Sequence, residues 1–123
     1  MTKRRSSGVR RRAKPSEIVV DEVAQASRDY SRSLPGKMRA LAASVRRARE
    51  GDEQHLVVAR SLAHRLSGTA GCYGFSELGA LAFAIEARLW PAFSATGTEA
   101  VCAWSEIDRM ISELDALVVL RTG

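Results

Sequence analysis

Aromatic residues are scarce, 6% of 123. A sheet sandwich draws its core from aromatic and β-branched side chains, so this alanine-rich chain is better supplied for closely packed helices. Proline occurs only at Pro15, Pro35 and Pro91, which leaves long stretches where nothing interrupts a helix. The two cysteines, Cys72 and Cys102, stand alone without metal-type spacing. No apolar run approaches the length of a membrane span, and the basic N-terminus lacks the apolar stretch of a secretory leader. A cytoplasmic location with reduced thiols is the expectation. Nucleotide-binding glycine loops are missing too, which removes ATP-dependent chemistry carried by this chain alone.

The formal charge of +5 is unevenly spread. Seven of the 19 Lys and Arg residues fall in residues 1–14, where no acid offsets them, so residues 15–123 carry a net −2. The high pI therefore describes a tail. Residues 1–15 read as a disordered basic tail, either merely solubilising or suited to weak polyanion binding through residues 1–14. Residues 16–123 read as one helical domain.

Along that domain, Ser16 with Glu17 offers a helix start. Val19, Val23, Ala26 and Tyr30 form a thin apolar row, expected to be a short helix ending near Ser33. Pro35 is expected to open a second helix, with Leu34, Met38, Leu41, Val45 and Ala48 at four-three spacing. Glu50-Gly51-Asp52 reads as stop, C′ glycine and new N-cap. The third helix starts near Glu53 and reaches at least Leu66. Ser76 is a candidate N-cap for a fourth, lined by Leu78, Leu81, Ala82, Ile85 and Leu89 and ended by Pro91. After the Thr96-Gly97-Thr98 turn, Trp104, Ile107, Ile111, Leu114 and Val118 line the last. The fold class is all-α: an antiparallel up-down four-helix bundle with an additional short N-terminal helix.

The chemistry concentrates around His64. At about 100° per residue, Ala59, Leu62, Leu66 and Ala70 define a core direction, and His64 lies about 140–160° from its middle. It should be exposed, with Val57, Arg60, Ser61, Ser67, Gly68 and Gly71 as helical neighbours. No carboxylate stands within one turn of it on its own helix, which counts against a catalytic triad and a metal cluster. Gly68 and Gly71 follow on the same face. Within a helix each costs about 0.5–1 kcal/mol relative to alanine, so either they clear space for a partner or one of them ends the helix as a C′ residue. His55 points near the core direction and reads as part-buried or end-capping. Trp90 and Trp104 read as core or bundle-end packing, and Cys72 as a small filler.

The run Ala63-His64-Arg65-Leu66-Ser67-Gly68-Thr69-Ala70-Gly71, continuing to Leu78, resembles the signature of histidine phosphotransfer (HPt) domains. That signature has Ala-His-x-Leu-Lys-Gly, then small residues and leucines on the next helix ending near a glutamate. Leu78, Leu81, Ile85 and Glu86 take the corresponding places here, although Glu86 taken alone reads as an ordinary solvated acid. Ser67 departs from the pattern, standing where the family often has lysine. Serine can hydrogen-bond a phosphoryl oxygen but cannot neutralise it, and Arg60 is placed to supply the charge.

The resemblance implies a phosphoryl carrier rather than an autokinase: His64 as phosphoacceptor through Nε2, without a resident base, and Arg60, Ser61, Ser67, Gly68 and Gly71 in docking and phosphoryl stabilisation. It implies receiver domains of response regulators or hybrid histidine kinases as partners and no cofactor or metal of its own, the receiver supplying Mg²⁺; separately, a monomer is expected. A receiver-binding scaffold without relay activity is the alternative.

Overall fold

The computed structural model describes the backbone of residues 15–122 and side chains from residue 21; the tail of residues 1–14 lies outside the described residues. Four helices make up the described chain: α1 (Pro15–Arg49), α2 (Glu53–Cys72), α3 (Ser76–Ser94) and α4 (Gly97–Thr122). The chain divides into two compact units, one running to Ser31 and the other starting at Arg32. The second unit contains His64.

Within it, the rows expected from spacing are the buried ones. Leu34, Met38, Leu41, Val45 and Ala48 of α1 are buried, as are Leu78, Ala82, Ile85 and Leu89 of α3 and Trp104, Ile107, Leu114 and Val118 of α4. Gly79 and Met110 are buried while Leu81 and Ile111 are half-buried, so the last two faces are rotated slightly from those expected. The helices alternate in direction. His64 of α2 meets Glu86 of α3, Arg88 of α3 meets Glu106 of α4, and Arg49 at the end of α1 pairs with Asp108 of α4. The two Arg–carboxylate pairs sit at the surface, where each contributes at most about 1 kcal/mol. The buried apolar rows hold the bundle.

Two helix ends are built alike. At α1, Gly51 takes φ 103°, its N–H donates to the Ala48 carbonyl and that of Asp52 to Arg47. At α2, Gly74 takes φ 85°, its N–H donates to Gly71 and that of Phe75 to Ala70. Each is a paired C-terminal closure around a left-handed glycine, and Phe75, which follows Gly74, is buried. Asp52 then caps α2 by accepting the His55 N–H at 3.2 Å and the His55 Nδ1–H at 2.7 Å. Those hydrogen bonds, the side-chain one foremost, hold the Asp52 carboxyl below its ordinary 3.8. His55 is therefore the end-capping histidine expected.

Several boundaries differ from expectation. Among the described residues no break separates a short N-terminal helix from the next: α1 runs unbroken through Pro35, with the continuous buried row from Leu34 to Ala48 carrying the helix past the hydrogen bond that proline cannot make. Of the first unit, residues 15–31 are described, and they are helical throughout. Pro91 does not end α3, which continues to Ser94; Ala92, 1% exposed, anchors the extra turn. The residue before α3 is Phe75, which makes no side-chain cap, and Ser76 is its first helical residue.

Candidate functional site

α2 continues through Gly68 and Gly71 to Cys72, and the glycine that closes it is Gly74. The C′ account of the two earlier glycines is thereby overturned. A Cβ at either would meet nothing within 4 Å, so nothing inside the domain requires glycine there. Gly79 is different: its Cβ would come within 3.1 Å of the Ser67 carbonyl oxygen and 3.5 Å of the Gly71 nitrogen. This close approach seats α3 on the α2 segment that follows His64, and it did not stand out in the sequence pattern.

The His64 side chain is 73% exposed, as its projection requires. Its surroundings correct one expectation. Glu86, from α3, places its two carboxylate oxygens 3.1 and 3.2 Å from His64 Nδ1. A carboxylate only accepts, so in the neutral ring Nδ1 carries the proton and Nε2 keeps its lone pair. The imidazole thus has a resident partner that fixes its tautomer, and Glu86, 24% exposed, is no ordinary solvated acid.

Arg60 lies one turn before His64 on the same face. The two share an open hollow of about 460 Å³ with Phe83, Glu86, Ala87, Trp90 and Pro91. Among the described residues Arg60 has no ion-pair partner. Ser61 is exposed. The Ser67 hydroxyl donates to the His64 carbonyl at 2.8 Å, so its proton is committed to its own helix. Among the described residues no grouping of three or more His, Cys, Asp or Glu could hold a metal ion.

The Hpt domain family model matches residues 22–117. The chain belongs to the Hpt domain family. Searches of curated proteins and of solved structures found no match. Hpt domains are helical phosphocarriers of phosphorelays, not kinases, and they exchange phosphoryl groups with receiver domains. No described helix of this Hpt domain is long and apolar enough to cross a membrane.

Two other residues of the Hpt domain are placed against expectation. Trp104 is buried, but Trp90 is 51% exposed, because it follows the buried Leu89 and so turns about 100° away from the core. Cys72 is exposed rather than a filler, its thiol directed at the Gly68 carbonyl at 3.5 Å. Phe83 is 64% exposed, in keeping with its place about 130° from the row of Leu78, Ala82, Ile85 and Leu89; the sequence pattern had not singled it out.

Proposed function

We propose that His64 is the phosphoacceptor of this Hpt domain. The observation that carries the reading is the Nδ1–Glu86 contact, which leaves Nε2 as an exposed lone pair on a rigid helix. In the forward step Nε2 attacks the phosphorus of a receiver's aspartyl phosphate. The Nε2–P bond forms, the P–O bond to the aspartate breaks, and the aspartate leaves as carboxylate. The ring gains positive charge, which the Glu86 carboxylate offsets through the Nδ1–H. Return of the group to a receiver aspartate is the reverse. No proton need be removed from Nε2, so the step depends on position and charge more than on a general base.

Arg60 supplies charge to the phosphoryl oxygens in place of the absent lysine, together with Mg²⁺ held by the receiver. Ser67 acts through the backbone of His64 by its hydroxyl contact, and Ser61, Gly68 and Gly71 leave clearance for the docked partner. The basic tail, set before the bundle, is suited to weak polyanion contact, and the domain works as a monomer in the cytoplasm.

Incubating the protein with phosphorylated receivers tests the assignment. The expected product is an acid-labile, base-stable label on the peptide that holds His64. A label elsewhere refutes it, and stoichiometric receiver binding without any label supports the scaffold alternative. Arg60→Ala is expected to slow labelling about tenfold, with Arg60→Lys recovering most of the loss; an unchanged rate removes Arg60 from phosphoryl stabilisation. Gly68→Ala separates fold from docking. It should raise stability by about 0.5–1 kcal/mol, because nothing opposes the new methyl and helix propensity improves. The same methyl should slow receiver-dependent transfer roughly tenfold by displacing the partner. Unimpaired transfer in that variant would show that the glycine clears space for nothing.

A further inference from the structure

Phe83 and Trp90 stand on α3 seven residues apart, on one face, with Glu86 and Ala87 between them. They are 64% and 51% exposed, and both line the hollow that His64 and Arg60 share. Trp90 is braced from outside the hollow by Phe93, ring centroids 6.1 Å apart and planes 23° from parallel. The Trp90 ring is therefore held in place. Ala87 and Pro91 complete an apolar lining around one charged residue on each side, Arg60 and Glu86.

We propose that this hollow receives an apolar side chain that the receiver projects beside its phosphorylated aspartate, and that Phe83 and Trp90 set which receivers dock productively. The inference rests on His64 as phosphoacceptor. In-line transfer brings the phosphorus to about 3–3.5 Å from Nε2. His64 is itself a wall of the hollow, so a body that delivers an aspartate there covers Phe83 and Trp90 as well. Exposed tryptophan beside an unpaired arginine is the composition that concentrates binding energy once water is excluded. Arg60 adds a charge requirement: the entering apolar residue is flanked by an acid. A second copy of this chain fits poorly, since a symmetric contact centred here would set Arg60 toward its own counterpart with Glu86 already engaged by His64.

Two phosphodonors separate docking from chemistry. Receiver domains from the same organism, phosphorylated with acetyl phosphate, need the docking surface. Phosphoramidate does not: its P–N bond breaks as Nε2–P forms, and ammonia leaves. In the protein carrying Phe83→Ala and Trp90→Ala, kcat/KM for the best receiver is expected to fall about 30-fold more than the phosphoramidate rate, chiefly through KM. Phe83→Leu with Trp90 intact should recover most of that loss. In the unaltered protein, receiver binding should shift the Trp90 emission to the blue, while buried Trp104 serves as the constant background. Equal losses with both donors would overturn the proposal by placing the aromatics' effect on His64 itself. Unchanged receiver kinetics would overturn it too, as would a dimer of the free protein that the double substitution dissociates while transfer stays intact. Failure of phosphoramidate to label His64 in the unaltered protein would instead strike the phosphoacceptor assignment, and the docking proposal with it.

Discussion

His64→Gln is expected to abolish phosphoryl acceptance, a fall of at least about 10³-fold with receiver and phosphoramidate alike, while thermal unfolding moves by no more than about 2 °C. The side chain is mostly in solvent and makes one side-chain contact, to Glu86, so the fold loses little. Glutamine is the informative replacement because its amide can still donate to the Glu86 carboxylate. What it lacks is a basic nitrogen, since the amide lone pair is delocalised into the carbonyl. His55→Gln is the matching control. Its ring is tied to Asp52 at the start of α2, about nine residues and some 13 Å along the helix from His64, and it should leave labelling intact. Radiolabel incorporation and peptide mapping read both variants. Acceptance by the His64→Gln protein at near-normal rate would move the chemistry to another residue.

Most of the bundle's faces were declared in advance, but Leu62, Leu81 and Ile111, expected in the core, are half-buried. Leu34, Met38, Leu41 and Val45, like Ile107 and Leu114, are buried where four-three spacing puts them. Ala63 and Leu56 are also buried in α2, and they turn its core direction by roughly 35° toward His64. The histidine consequently lies nearer the seam with α3 than the row of Ala59, Leu62, Leu66 and Ala70 indicates. That rotation is what brings Glu86 within reach. Its distance of 22 residues in the chain hides the pairing from any search confined to one helix. Pro35 and Pro91 are the converse case, where a strong local signal for a break yields to tertiary packing of the turns on either side. Trp90 and Phe83 break the rule that aromatics go inside, and such departures concentrate where a surface has work other than folding. The family signature around His64 was legible residue by residue. The partner of its imidazole and the aromatic wall beside it required the seating of α3, set by the Gly79 approach to Ser67 and Gly71.

Glu86→Ala is expected to slow phosphoryl acceptance by about 10- to 50-fold, with the loss in kcat and little change in KM for the receiver. Hydrogen bonds to charged groups contribute about 1.5–3 kcal/mol, and the half of that range suited to a contact reaching solvent through His64 corresponds to this loss. Two effects combine in it. Without the carboxylate, the ring is free to turn and to place its proton on Nε2, which removes the nucleophile from that fraction of molecules. The charge that develops on the ring as Nε2 bonds to phosphorus also loses its counter-ion. Glu86→Gln divides the two, because the amide oxygen still accepts the Nδ1–H while the charge is gone. An intermediate rate for Glu86→Gln means that orientation and charge both matter. A rate equal to Glu86→Ala assigns the effect to charge, and a rate equal to the unaltered protein assigns it to orientation. The nitrogen resonances of His64 give a readout that loss of folding would not mimic: the Nδ1–H tautomer should dominate in the unaltered protein and lose that dominance in Glu86→Ala. Unchanged kcat together with an unchanged tautomer ratio in Glu86→Ala would show that the contact holds nothing in place.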